Sequence, residues 1–158
     1  MTRTSPTGIP MPEPPTPLGA YERGRILGGI GCLSGQFPVT NGRLAFTGLL
    51  GASLSVADGQ AAARTAASNS VAQIGNLLDD NWNRLEGLLR VDCYVACASN
   101  FEDVVIVLDA ASHCFLSLLA EKGRHARSAL IVDRLPVNAP IELVVTFAVS
   151  DPPCAHRS

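Results

Sequence analysis

The residues with the widest chemical options in this chain are Arg127 and Glu142. Each lies in an apolar run: Arg127 in Ala126-Arg127-Ser128-Ala129-Leu130-Ile131-Val132, and Glu142 near the start of the stretch from Ile141 to Val149. An arginine is permanently charged, and its planar fork matches a carboxylate with two parallel hydrogen bonds, so an arginine held on a strand can anchor a small anion. A glutamate beside such an anchor can accept and return a proton. Residue types alone favour a plainer role, in which Arg127 reaches from a strand end to water or pairs with Glu142. Taken singly, Gly35 reads as a turn glycine and Tyr21 as an aromatic at the core edge with its hydroxyl in water.

The elements that must position these residues follow from pattern. The two apolar runs read as strands, and the segment between them, with Pro136, Asn138 and Pro140, reads as a turn. Ser55 to Asp80 predicts a long helix capped by Ser55, with Asp58 in its first turn and Val56, Ala63, Ala67, Val71, Ile74 and Leu78 as its apolar face. Leu88 to Ala98 reads as a central strand with Val91, Cys93 and Val95 on one side and Asp92, Tyr94 and Ala96 on the other. A second helix runs from about Phe101 to Ala120, capped by Asn100 and ended by Gly123. Earlier in the chain, Ile26 to Leu33 reads as one strand, Asn41-Gly42 as a turn and Arg43 to Leu50 as a short strand. The order implies an α+β layer, with both helices on one face of a mixed sheet and the other face bare. A bare apolar face in a chain that is 47% hydrophobic and 16% charged predicts burial against further subunits.

Composition narrows the function classes. The 158 residues fit one domain, at 18–149, and a formal charge of -2 without a basic cluster argues against nucleic-acid binding. The five cysteines form no Cys-x-x-Cys pair, and the three histidines share no ligand spacing, so no metal site is expected and the cysteines read as reduced, in a cytoplasmic protein. Residues 1–17 hold more than half of the eleven prolines and no apolar run, which predicts a flexible arm rather than a signal or a spanning helix. Residues 150–158 read as a short frayed tail. Apolar stretches elsewhere are interrupted before 18 residues, and no membrane segment is expected.

Three separated motifs resemble the RidA (YjgF/L-PSP endoribonuclease) family across roughly residues 18–149. Gly19-Ala20-Tyr21 is similar to its Gly-Pro-Tyr entry, and Leu33-Ser34-Gly35-Gln36-Phe37-Pro38 to its Ser-Gly-Gln-hydrophobic-Pro loop. Ala126-Arg127-Ser128-Ala129 with Leu135-Pro136 and Ile141-Glu142 resembles its C-terminal signature, and Gln60 also fits. The chain departs from the pattern at Ala129, where many members have Cys or Val, and at Asp109, which falls where the family has a Val-Asn element. Gly48 to Gln60 resembles a branch in which imine hydrolysis is not generally established.

The resemblance implies a chorismate-mutase-like fold that assembles as a homotrimer, with ligand clefts between neighbouring subunits. It implies hydrolysis of reactive enamines and imines, such as 2-aminoacrylate, to 2-keto acids and ammonia without a cofactor. On that reading Arg127 holds the substrate carboxylate, Ser34 and the backbone at Gly35 bind its polar end, Tyr21 closes the pocket of the neighbouring subunit, and Glu142 holds a water. A non-catalytic trimer that binds small carboxylates is the alternative. An endoribonuclease is the weaker one, because no histidine pair stands in an acid–base arrangement and no groove is basic.

Overall fold

The computed structural model describes residues 3–150. A five-stranded mixed sheet carries two helices on one face. In chain order the elements are β1 (Gly24–Leu27), β2 (Ile30–Leu33), β3 (Val39–Thr40), β4 (Arg43–Leu44), α1 (Val56–Leu77), β5 (Leu85–Ala96), α2 (Val104–Leu119), β6 (Ala126–Val132) and β7 (Ile141–Val149). In space the sheet runs β1-β2-β7-β5-β6, while β3 and β4 form a separate two-stranded ribbon. The expected pair of strands after α2 is therefore not a hairpin. β5 lies between them, parallel to β6 and antiparallel to β7.

Helix α1 starts where its sequence dictates. Ser55 accepts a hydrogen bond from the Asp58 backbone N–H at 3.1 Å, and the Asp58 carboxylate accepts from the Ser55 backbone N–H at 2.8 Å, a reciprocal capping box. Its alanine-rich face brings the backbone close to its neighbours: Ala63, Ala67, Val71 and Ile74 are fully buried. α2 begins three residues after the expected Asn100 cap, at Asp103, which makes no side-chain cap bond. Val104–Gly123 is long and apolar enough to pass for a membrane span by composition, yet its Val107, Leu108, Ala111, Phe115 and Leu118 stripe packs in the core beneath α1 and the sheet. That is the pattern of a core helix.

Two N-terminal expectations are corrected. Ile26 to Leu33 is a hairpin rather than one strand, because Gly28 and Gly29 take φ of 58° and 78° and turn the chain so that Leu27 pairs with Ile30. The same chemistry at Asn41-Gly42 (φ 51° and 75°) makes the expected turn. The strand placed at 43–50 shrinks to Arg43–Leu44, which pairs back on Val39–Thr40. Alternation of Gly, Leu and Ile cannot reveal a reversal that depends on two left-handed glycines.

The proline-rich segment, expected to be a flexible arm, is docked along residues 3–17. Met11 is buried in the main core, and Ser5 is buried as well. Arg3 forks onto Asp80 (2.6 and 2.9 Å), Thr7 donates to the Ser117 carbonyl at 2.9 Å, and Trp82 donates to the Thr4 carbonyl at 3.2 Å. Gln73, buried in α1, donates to the Pro15 carbonyl. Proline runs have little backbone entropy left to lose, so a few anchors suffice to seat them. The expected C-terminal tail, apart from Ser150, lies outside the described residues.

The helix-covered face holds the main core. The open face is not wholly bare, since Phe37, Ala96, Leu135 and Ala139 form a second, smaller cluster with Tyr94 over one end. Leu27, Ile30 and Leu130 remain exposed on it. Truncating Met11 to Ala should lower stability by about 2 kcal/mol or more, the cost of a buried Met-to-Ala cavity, and shift the urea midpoint accordingly. Deleting residues 1–15 should lower the melting temperature further; an unchanged melting temperature would mean that the segment is not docked in solution.

Candidate functional site

The sheet register decides which candidate residues can meet. Arg127 stands in the row of Val91 and Val145, both buried under the helices, so its side chain leaves the sheet on the helix side at the β6 edge. Glu142 stands in the row of Tyr94, on the open face. Arg127 and Glu142 therefore lie on opposite faces of one protomer, and the pairing left open by the residue types is not made. Arg127 pairs with α2 instead: its Nη1 donates to Asp109 Oδ1 at 2.9 Å and to Ser112 Oγ at 3.1 Å. Its Nε and Nη2, the side edge of the fork, have no hydrogen-bond partner among the described residues.

A second set of polar contacts holds Ser112. The Gly123 carbonyl can only accept, so His125 Nδ1 carries the hydrogen at 2.7 Å, and in a neutral ring Nε2 then accepts from the Ser112 hydroxyl 3.0 Å away. The His125 ring meets Phe115 edge to face at a centroid distance of 5.4 Å. Nearby, Arg124 is paired with Glu121 at 2.6 Å, and burial pushes the Cys93 thiol up to about 12, so Cys93 is an inert core residue here.

The other candidates gather on the far side of the protomer. Tyr21, Ser34 and Gly35 line one cavity of about 490 Å³, with Leu18, Phe37 and Val137 among its apolar walls. Tyr21, expected to close a neighbour's pocket, thus shares a cavity with Ser34 and Gly35 of its own chain. Ser34 donates to the Glu22 carbonyl at 2.6 Å, which ties the loop to the approach of β1. Gln36 exchanges backbone hydrogen bonds with Leu143 on β7 (2.8 and 3.0 Å), and this bridge sets Gly35 over Glu142. A Cβ at position 35 would overlap the Glu142 carboxylate, so only glycine allows that approach. Val137, a β-branched residue, sits at φ 54° on the cavity rim, a strained conformation that the Pro136–Asn138 turn imposes.

Glu142 itself is half-buried with no hydrogen-bond partner for its carboxylate among the described residues, and burial raises its pKa above the ordinary 4.5. A desolvated, unpaired carboxylate is poised to carry a proton. Among the described residues no three His, Cys, Asp or Glu side chains converge as metal ligands.

Residue reading did not single out Ser112, His125 or Gln73. Ser112 follows Asp109 by three on one helix face, and His125 precedes Arg127 by two, just ahead of β6; the helix spacing was the available signal. Nothing in the sequence marks Gln73, whose buried Oε1 has no partner and which lines the cavity with Tyr21.

Fold and site together define an α+β protein with an arginine at one sheet edge and a glycine-seated glutamate on the opposite face. The chain belongs to the family described as "YjgF/chorismate mutase-like, putative endoribonuclease", which it matches over residues 1–149. It is 36% identical over 137 residues to Protein TCP17 of Trypanosoma cruzi, covering 86% of this chain and 85% of that protein. A structure titled "putative endoribonuclease" from Shewanella oneidensis is 30% identical, covers 89% of this chain and 93% of that one, and superposes with a TM-score of 0.84. The protein Atu1372 of Agrobacterium tumefaciens, titled as of unknown function, is 32% identical with 82% of each chain covered and a TM-score of 0.79.

The sign of the Glu142 effect on stability follows from its pKa. A carboxyl whose folded-state pKa lies above its unfolded value binds protons more readily when folded, so its contribution is most favourable below the unfolded pKa and is lost as pH rises through the folded one. Glu142→Gln should therefore make the fold more stable than wild type at pH 7, with the gain disappearing near pH 4. Urea titrations at both pH values read this directly, and equal midpoints at pH 7 would show that the carboxylate is not desolvated.

Proposed function

We propose that the protein hydrolyses small 2-imino acids and their enamine tautomers, such as 2-aminoacrylate, to 2-keto acids and ammonia, in a cleft formed between copies of the chain in a homotrimer. The observation that carries this reading is Glu142: a half-buried carboxylate without a partner among the described residues, set against Gly35 where any side chain would overlap it. The partial burial that raises its pKa suits this carboxylate to take up and return a proton.

The opposite placement of Arg127 and Glu142 supports an intersubunit cleft, since the arginine of one copy can face the glutamate of another although the two cannot meet within a chain. The exposed Leu27, Ile30 and Leu130 on the open sheet face support burial of that face by the same assembly. In the reaction, Arg127 takes the substrate carboxylate on its Nε and Nη2 edge, and Ser34 and the backbone at Gly35 receive the polar end. A protonated imine carbon is already electrophilic. Water adds to that carbon as Glu142 takes one of its protons and returns it to nitrogen. The C–N bond of the N-protonated carbinolamine then breaks as its hydroxyl proton passes to Glu142, ammonia leaves and the carbonyl forms, so no electron donor or acceptor is required.

A non-catalytic carboxylate-binding trimer is the second reading, favoured by the direct Arg127–Asp109 pair, which makes a stable receptor in the absence of chemistry. Mutation separates the two. Arg127→Lys keeps the charge but loses the fork, so pyruvate binding should weaken by about 1.5–3 kcal/mol, the range for a hydrogen bond to a charged group. Glu142→Gln should retain pyruvate binding while hydrolysis of 2-aminoacrylate, generated in place by a dehydratase, is lost. Wild-type protein that binds pyruvate yet hydrolyses no imine would favour the binding trimer. Light scattering should give a mass three times that of the chain, and a stable monomer would remove the cleft altogether.

A further inference from the structure

The cavity that Tyr21, Ser34 and Gly35 line carries a single formal charge. Arg23 is the only charged residue on its walls, which are otherwise largely apolar: Pro17, Leu18, Phe37, Val39, Leu44 and Val137. Arg3, Arg90, Arg124 and Arg127 are each ion-paired with a carboxylate. Arg23 is partly buried and makes no side-chain hydrogen bond or ion pair among the described residues. Its backbone is held in place, because its carbonyl accepts from the Ser34 N–H at 3.1 Å. Glu142 approaches Gly35 but is not among the cavity-lining residues.

One wall comes from the N-terminal segment, and two hydrogen bonds seat it. Gln73, 1% exposed in α1, donates to the Pro15 carbonyl, and the Leu18 N–H donates to the Tyr21 hydroxyl at 3.2 Å. At about 490 Å³ the space falls in the range of small-molecule pockets, in which apolar walls surround a few polar groups. A cation in such partly desolvated surroundings attracts an anion more strongly than it would in open water. A small hydrated anion leaves the apolar walls in contact with water, and a neutral apolar molecule leaves Arg23 without a counter-charge. An acid with an aromatic or branched body satisfies both.

We infer that this cavity is a binding site for a monocarboxylate with an aromatic or branched apolar body, its carboxylate on Arg23 and its body against the apolar walls. The site is built from one chain and goes beyond the proposed reaction, since it uses neither Arg127 nor Glu142. Ser34 and Gly35 line it as well, so its occupant lies next to the proposed reaction site.

Calorimetric titration of the full chain with phenylacetate, acetate and 2-phenylethanol tests this, because acetate lacks the ring and the alcohol lacks the charge. Phenylacetate should bind more tightly than either by on the order of tenfold or more. Arg23→Gln should weaken phenylacetate by on the order of tenfold, as expected on loss of a charge-assisted hydrogen bond, and leave the alcohol unchanged. Leu18→Ser, at an exposed wall position, should weaken phenylacetate and the alcohol together and serves if the arginine variant fails to fold. Phenylacetate that does not bind, or that binds a folded Arg23→Gln as it binds wild type, overturns the inference. Arg127→Lys separates the two sites. It should weaken pyruvate and spare phenylacetate; if it weakens phenylacetate while Arg23→Gln does not, the acid sits on Arg127, and the Arg23 site falls while the proposed function stands. Protein that hydrolyses no imine yet loses phenylacetate binding in Arg23→Gln overturns the proposed reaction alone.

Discussion

Central strand β5 is the constraint on which the arrangement of this protein depends. It pairs parallel with β6 along Arg90 to Ala96 and antiparallel with β7 along Leu85 to Val95, so its alternation sets the faces of both neighbours. Val91, Cys93 and Val95 must face the helices, because they are the apolar side that α1 and α2 cover. Once they do, period two sends Arg127 to the helix side and Glu142 to the open side. A slip of one residue in either pairing would exchange the faces, and the buried β5 and β7 side chains make that slip costly.

The chemistry is placed at the two ends of this scheme, and each end is held differently. Arg127 is restrained by hydrogen bonds from its Nη1 to Asp109 and Ser112, and Ser112 is held in turn by His125, whose Nδ1 donates to a backbone carbonyl. Glu142 is restrained by shape: the Gln36–Leu143 backbone bridge lowers Gly35 onto it, and its carboxylate has no hydrogen-bond partner among the described residues. A paired carboxylate would stabilise the fold and would titrate low. An unpaired one costs stability at neutral pH and keeps its proton accessible.

The N-terminal segment adds a third element to the site's surroundings. Pro15, Thr16, Pro17 and Leu18 form one wall of the cavity that Tyr21, Ser34 and Gly35 open into, and Gln73 ties that wall to α1. A segment whose composition suggests disorder is thereby part of the pocket lining. Its order rests on a few anchors, among them buried Met11 and the Arg3–Asp80 fork, rather than on regular secondary structure.

Much of the fold was legible in the residues, and the reasons are local. The Ser55–Asp58 box, the alanine face of α1, the alternation of β5 and the extents of β6 and β7 depend on neighbours within a few positions, where side-chain period and capping chemistry act. The Gly28-Gly29 reversal was missed because it turns on backbone angles that no side chain advertises. Arg127, Glu142, Tyr21, Ser34 and Gly35 were identifiable as candidates from residue type and motif. Their division into two groups was not, because it depends on β5 inserting between β6 and β7, a long-range pairing with no local signature. The docking of residues 3–17 was hidden for a related reason: proline content reports how stiff a segment is, whereas Met11 finds its place only in a core built by elements far along the chain.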